Sequence, residues 1–254
     1  MCSKIDLIHN EGKAIEEAVA WHTLGIVADD GQSIGTGCAI LWRKRSLILT
    51  ARHVIESSPD DDIWFHFRHE GTMKRSPVQD LPSRRDVEYK PKVRIKIVGR
   101  CCSEDVDVAA LEVQRSIEDE HSVRFFELAE ESITPTAGTI ITMRGYPSDL
   151  ARVVVPGSAA SFAMIQWSRI QDKPHFAPFD PALEFLTPFV AADQGKHARG
   201  FSGAGAWFDR PTDGVWHPNL GLAGVCTHYY SRKKLLSLLR IEQVTRFLNE
   251  AFPK

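Results

Sequence analysis

Long apolar runs are missing from this chain. No stretch of its 254 residues approaches the roughly 18 apolar residues needed to span a bilayer. The N-terminus, MCSKIDLIHNEGKAIEEAVAWH, has mixed charges and no apolar core of signal-peptide length. The expectation is a protein that meets no membrane and stays in the cytoplasm. Cysteine is scarce too: five residues, Cys2, Cys38, Cys101, Cys102 and Cys226. An odd number without a C-x-x-C pair fits no disulfide framework, adjacent cysteines rarely bridge each other, and cytoplasmic thiols stay reduced. No clustered ligands with zinc spacing occur, so neither a metal nor a cofactor is expected. Basic excess is also absent. A net charge of −2 leaves no face able to neutralise phosphates, which argues against nucleic acid. The short runs Arg43-Lys44-Arg45 and Arg232-Lys233-Lys234 read as solvated loops between strands. Internal repeats and low-complexity tracts are lacking as well.

What remains is an ordinary soluble composition, 43% apolar and 25% charged, long enough for two small domains sharing a core. Glu11 to Ala20 reads as a short helix, because Ala14, Ile15, Ala18 and Val19 share one face of a 3.6-residue repeat. From Thr23 the texture changes to short apolar runs broken by Gly, Pro, Asp and Ser. Strands are expected at Leu24–Ala28, Gly37–Arg43, Ser46–Thr50, Ile63–Phe67, Lys92–Arg100 and Val108–Val113. Six more follow at Gly138–Met143, Ala151–Val155, Ser161–Trp167, Glu184–Val190, Ala204–Phe208 and Leu220–Tyr230. Many short strands without alternating helices indicate sandwiches or barrels. The polar stretches Ser57–Lys90 and Gln171–Pro181 read as surface loops. Ile241–Phe252 is a second helix, with Ile241, Val244, Phe247, Leu248 and Phe252 at helical spacing. The break between halves is expected within Arg115–Pro135. The division is an N-terminal helical extension over 1–22, halves at 23–118 and 119–240, and a terminal helix at 241–254.

Three segments carry chemistry. In the first, an apolar strand ends in Leu49-Thr50-Ala51-Arg52-His53-Val54, preceded by Gly35-Thr36-Gly37; it presents a histidine at a strand end. In the second, Asp105-Val106-Asp107-Val108-Ala109-Ala110 opens a strand with aspartates. In the third, Gly200-Phe201-Ser202-Gly203 sets a serine in a glycine turn that leads into a strand. Together these are the parts for acyl transfer. Serine is a poor nucleophile until an imidazole takes its proton. The imidazole needs a carboxylate to hold its tautomer. Glycines beside the serine let backbone N–H groups converge on a developing oxyanion. The chain order His, Asp, Ser is that of one of the several known triad arrangements.

At these residues the sequence resembles the trypsin-like, chymotrypsin-fold serine peptidases. It is similar above all to bacterial members such as the protease domain of the high-temperature-requirement proteases. Gly35-Thr36-Gly37 resembles their G-[ST]-G strand, Leu49–Val54 their L-T-A-x-H-V, Asp107-Val108-Ala109 their D-[IV]-A, and Gly200–Gly203 their G-x-S-G. Leu222-Ala223-Gly224-Val225 resembles the strand lining their cleft. The resemblance, running from about Thr23 to Phe252, implies an all-β fold of two six-stranded antiparallel barrels. It implies His53 as general base, Asp107 as its orienting acid and Ser202 as nucleophile, with the N–H groups of Gly200 and Ser202 as the oxyanion hole. Asp105 competes for the acid role, and the family's register favours Asp107.

Departures from the family pattern carry expectations too. Val54 stands where many animal members have a disulfide-forming cysteine. Phe201 replaces the aspartate that pairs with a newly cut N-terminus in digestive members, so activation by that route is not expected, and the chain is either constitutively competent or switched by a regulatory protein partner or loop movement. Arg52 stands where alanine is usual; its guanidinium points either at the imidazole, lowering its pKa, or into solvent. For specificity, a gap-free count from Ser202 sets Lys196 at the base of the primary pocket. His197 and Arg199 lie beside it, and Thr227, His228 and Tyr229 form the wall. The implied substrate is a protein or peptide with an acidic or amide side chain before the scissile bond. Two other readings stay open: a silent protease-fold module that holds peptides without turnover, and a serine esterase.

Overall fold

The protein is described by a computed structural model covering residues 4–27, 33–56, 58–59, 63–67, 93–121, 123–131, 133–148, 152–155, 158–160, 163–171, 179–190, 198–213 and 216–254. The expected loops Ser57–Lys90 and Gln171–Pro181 fall largely outside these residues, as do Cys2, Lys196 and His197. Among the described residues no helix is long and apolar enough to cross a membrane.

The fold is all-β with two curled antiparallel sheets of six strands each. The first holds β1 (Thr23–Val27), β2 (Ser33–Trp42), β3 (Arg45–Thr50), β4 (Trp64–His66), β5 (Ile97–Cys102) and β6 (Ala109–Val113), in the order β4-β1-β2-β3-β6-β5. A two-residue β7 (Phe126–Glu127) adds parallel to β2. The second holds β8 (Ile140–Gly145), β11 (Met164–Arg169), β12 (Glu184–Pro188), β13 (Gly205–Asp209), β14 (Leu220–Tyr230) and β15 (Leu235–Arg240), in the order β11-β8-β13-β14-β15-β12. A separate hairpin pairs β9 (Arg152–Val155) with β10 (Ser158–Ala160). Helix α1 spans Lys4–Trp21, the single turns α2 and α3 span Arg52–Ile55 and Ile117–Glu120, and α4 spans Ile241–Ala251.

Three differences from the sequence expectation stand out, and two have evident physical causes. Helix α1 begins well before Glu11, running through Asn10 and Gly12, which are weak helix formers. Packing against β8, β1 and β14 outweighs that weakness. The strand β15 was missed because LLSLLR has no β-branched residue and leucine favours helices. It forms because β14 and β12 bracket it and five of its six residues are buried. The strand expected from Lys92 starts only at Ile97; Val93 is a lone bridge to Phe65.

The cores explain how the halves stay together. One cluster, including Leu24, Ile26, Ile48, Phe65 and Leu111, fills the first sheet, and another, including Phe185, Phe189, Phe201 and Leu238, fills the second. The third joins them. Cys38, Ile40, Trp42 and Leu47 from the first sheet meet Trp207, Leu220 and Leu222 from the second, with Ile15 and Val19 of α1 and Val244 and Leu248 of α4 sealing the edges. Burying a side chain of this size contributes about 1.5–3 kcal/mol, so the seam between the sheets is a true core. The hairpin between β2 and β3 turns at Arg43 and Lys44, both at positive φ (47° and 68°). Arg43 binds Glu130, Asn249 and the Phe252 carbonyl, and Arg45 pairs with Glu112. That basic run is a tie to α4 rather than a free patch.

Candidate active site

Register brings the first two residues together. In the antiparallel β3–β6 pair, Thr50 lies opposite Ala109. The end of β3 therefore sits beside the start of β6, and His53 in α2 meets Asp107 just before β6. The backbone N–H of His53 donates to Asp107 Oδ1 at 3.0 Å. Its Nδ1–H donates to Oδ2 at 2.7 Å; an ionised carboxylate only accepts, so Nδ1 carries the proton and Nε2 of the neutral ring keeps a lone pair that can accept one. Asp105, exposed, makes neither bond. The side-chain hydrogen bond to Asp107 holds the His53 pKa above its usual 6.5, against the opposing effect of burial. Burial raises the Asp107 carboxyl, but the hydrogen bonds and charge of His53 outweigh it and the net direction is downward.

Ser202 arrives from the second sheet on a turn built by glycines. Gly200 and Gly203 have φ of 95° and 89°, conformations that L-residues rarely adopt. A Cβ on Gly203 would collide with the Thr36 carbonyl and the Thr50 side chain, and one on Gly200 with the Tyr146 carbonyl. At Gly35 a Cβ would sit 2.5 Å from the Val54 side chain and 3.1 Å from the Ser202 carbonyl oxygen. The His53 turn and the Ser202 turn thus press on one glycine of β2 from two sides.

Two buried threonines stitch this junction, and sequence reasoning had taken them only as strand residues. Thr36 N–H donates to the Ser202 carbonyl at 2.8 Å. Its hydroxyl donates to the Gly200 carbonyl at 2.6 Å and accepts the Tyr146 N–H at 3.0 Å. Thr50 Oγ1 donates to the Thr36 carbonyl at 2.8 Å. The signal lay in the motifs themselves, at the centre of G-T-G and in L-T-A. With the Phe201 N–H bonded to Ala198 and the Gly203 N–H to Cys226, the N–H groups of Gly200 and Ser202 have no backbone acceptor among the described residues. Such an arrangement can hold a developing oxyanion.

Residues 35–195 match the trypsin-like peptidase domain family, well over half of the chain. The chain belongs to that family. Its fold is shared with solved structures of low sequence identity. A scabies mite inactivated protease paralogue has a TM-score of 0.56 at 14% identity, covering 93% of this chain and 95% of that one. An M. tuberculosis H37Rv protein, crystallised as a serine-to-alanine mutant in its inactive form, gives 0.56 at 14%, covering 96% and 94%. The serine protease domain of the Sesbania mosaic virus polyprotein gives 0.51 at 15%, covering 89% and 91%. No curated protein matches the sequence.

In this trypsin-like domain the residues expected to set specificity are only partly assembled. Thr227 is buried with its hydroxyl unpartnered, His228 is exposed with its ring 4.7 Å from that of Tyr230, and Tyr229 stands edge-on to Phe189 at 5.4 Å. Arg199 is exposed, and no hydrogen bond, ion pair or ring contact among the described residues joins its side chain to these three. Glu184, missed by sequence reading, lies in this region: burial raises its pKa, with His228 and Asp107 among the charges it feels. Phe201 is fully buried, its ring 5.5 Å from Phe189 at 70° and against Gly145. Apolar packing occupies the place where an aspartate was the family expectation. The Arg52 guanidinium donates to the carbonyls of Ser103 and Glu104, and its charge lowers the His53 pKa as the weakest of the influences on it. Among the described residues no three His, Cys, Asp or Glu side chains form a metal-binding group. Cys38, Cys101, Cys102 and Cys226 are all free. Burial pushes the Cys226 thiol up to about 12, which keeps it unreactive.

Proposed function

We propose that this chain is a serine endopeptidase working through Ser202, His53 and Asp107. The observation that carries the reading is the doubly bonded His53–Asp107 pair, on a helical turn whose Val54 side chain meets the same glycine, Gly35, as the Ser202 carbonyl. In the proposed cycle Ser202 Oγ attacks the scissile carbonyl carbon while His53 Nε2 takes its proton. Asp107 stabilises the resulting imidazolium, and the N–H groups of Gly200 and Ser202 receive the oxyanion. The imidazolium then protonates the departing amine, and water releases the acyl group by the reverse path. A peptide substrate is supported by β14. Cys226 still exchanges backbone hydrogen bonds with Gly203 and Ala204, but beyond it, among the described residues, His228 and Tyr229 have strand partners in β15 alone. That leaves a strand edge on which an extended peptide can add backbone hydrogen bonds. The pocket reading assigns Lys196 to its base and His228 and Tyr229 to its wall, with His197, Arg199 and Thr227 as further substrate-binding residues and an acidic or amide side chain preferred. The four free thiols support a reducing compartment, and the buried Phe201 supports a turn held ready without a cut N-terminus, leaving a partner protein as the remaining switch.

A second reading is favoured by one finding: the inactivated mite paralogue keeps this fold, so a silent peptide-binding module is compatible with it. A fluorophosphonate probe separates the two. Labelling that disappears in Ser202→Ala is expected, followed by cleavage of a peptide library; labelled enzyme that turns over only small esters points to the esterase. A chain that binds library peptides and never labels supports the silent module.

A further inference from the structure

The residue preceding His53 grips the same loop from its other end. From the first position of α2, the Arg52 guanidinium crosses to the connection between β5 and β6. There Nη1 donates to the Ser103 carbonyl at 2.8 Å and to the Glu104 carbonyl at 3.3 Å. The side chain is 32% exposed, and its only ion-pair partner among the described residues is Glu56, 3.9 Å away. The connection is otherwise a sparse structure. Ser103 N–H bonds to Val108, Val106 N–H to the Ser103 hydroxyl at 3.3 Å, and Val108 N–H to Val106. None of these fixes the carbonyls at its start. Three residues after Glu104, Asp107 takes its two hydrogen bonds from His53.

We propose that Arg52 is a positioning residue that pins the Ser103–Glu104 end of this loop so that Asp107 is presented to His53 with both carboxylate oxygens engaged. The inference rests on the peptidase reading for its consequence in rate, though not for its geometry. Adjacent residues of one helical turn hold one loop at two points: Arg52 at its entry and His53 at its exit. A guanidinium suits this task because its long stem reaches across from α2 and a single nitrogen can serve both carbonyls. Loss of the entry point leaves the six-residue connection that carries Asp107 more loosely held. Displacements near 1 Å at a catalytic group cost on the order of a hundredfold in rate.

The alternative is a purely electrostatic role, in which a cation beside the imidazole disfavours its charged form. The two roles predict opposite signs. His53 feels Asp107 most strongly, with Glu56 and Arg52 as weaker charges. Removing a mere cation raises the His53 pKa, whereas loosening Asp107 lowers it. The test compares Arg52→Ala and Arg52→Lys in the wild-type and Asp107→Asn backgrounds. It measures the His53 pKa by NMR titration and the second-order rate of fluorophosphonate labelling. Expected are a lowered His53 pKa, labelling slowed about 10- to 100-fold in Arg52→Ala, an intermediate effect in Arg52→Lys, and less than about twofold further loss in Asp107→Asn. A His53 pKa that rises or stays, or equal losses in both backgrounds, overturns the proposal. Should Arg52→Ala not fold, Arg52→Lys carries both measurements. A wild-type chain that never labels while its His53 pKa falls in the variants sinks the peptidase reading and upholds the positioning role.

Discussion

The first sheet brings His53 and Asp107 together at partly open positions, with side chains 51% and 34% exposed, held by a backbone and an imidazole hydrogen bond to one carboxylate. The second sheet brings Ser202 on a turn whose flanking Gly200, Phe201 and Gly203 are buried, held by backbone conformation and aromatic packing. One side is set by charge and responds to pH; the other is set by shape and does not. The difference follows from what each side does in the proposed reaction. A base has to change protonation state, so its surroundings must be polar and partly wet. An oxyanion site has to stay fixed while charge develops, so rigid packing serves it best.

The largest expected effect breaks the polar side. Asp107→Asn should slow fluorophosphonate labelling on the order of ten-thousandfold by favouring the wrong imidazole tautomer, while Asp105→Asn stays near wild type. Comparable losses in the two variants, or the reverse ranking, would overturn the assignment of the acid. On the other side, Phe201→Ala should cost about 3–5 kcal/mol of stability in urea unfolding, because a fully buried ring leaves a cavity between Gly145 and Phe189. Its His53 pKa should stay where the wild type has it. A shift there would mean that the two sides are coupled rather than built separately.

The smallest effect is graded, and its sign differs between activity and stability. With the His53 pKa raised above 6.5, the neutral base is lost as pH falls, and labelling should drop about tenfold per unit below that pKa. Its contribution to stability runs the other way: full below pH 6.5, it fades as pH rises through the folded value. Asp107, depressed below 3.8, contributes above that value and loses its contribution as pH falls through its folded pKa. A labelling profile flat between pH 5 and 8 would contradict a histidine base. In Phe201→Ala the acid limb should keep its position, and in Asp107→Asn it should move to lower pH.

Much of the fold was legible because short-range rules govern it. Short apolar runs broken by turn residues marked β2, β3, β13 and β14, and the 3.6-residue spacing marked α4. Leu235–Arg240 was not legible, since its leucines suit a helix and only two neighbouring strands make it a strand. At the site, the G-T-G, histidine, aspartate and serine segments stood out as motifs. The roles of Thr36, Thr50 and Arg52 did not, because a hydroxyl or a guanidinium shows no preference for a particular carbonyl until the chain has folded. Lys196 and His197 remain readings of the sequence alone.

By itself the sequence determined the all-β texture, the turn chemistry at Gly200 and Gly203, and the kinds of side chain available for acyl transfer, because each depends on a few adjacent residues. Tertiary structure decided which aspartate meets His53. Asp105 and Asp107 differ by two positions in the connection between β5 and β6, and the Thr50–Ala109 register with the fold of that connection brings Asp107 to His53. It decided the fate of Phe201 and Arg52 in the same way. A ring finds its slot and a guanidinium its carbonyls across distances that no local pattern encodes.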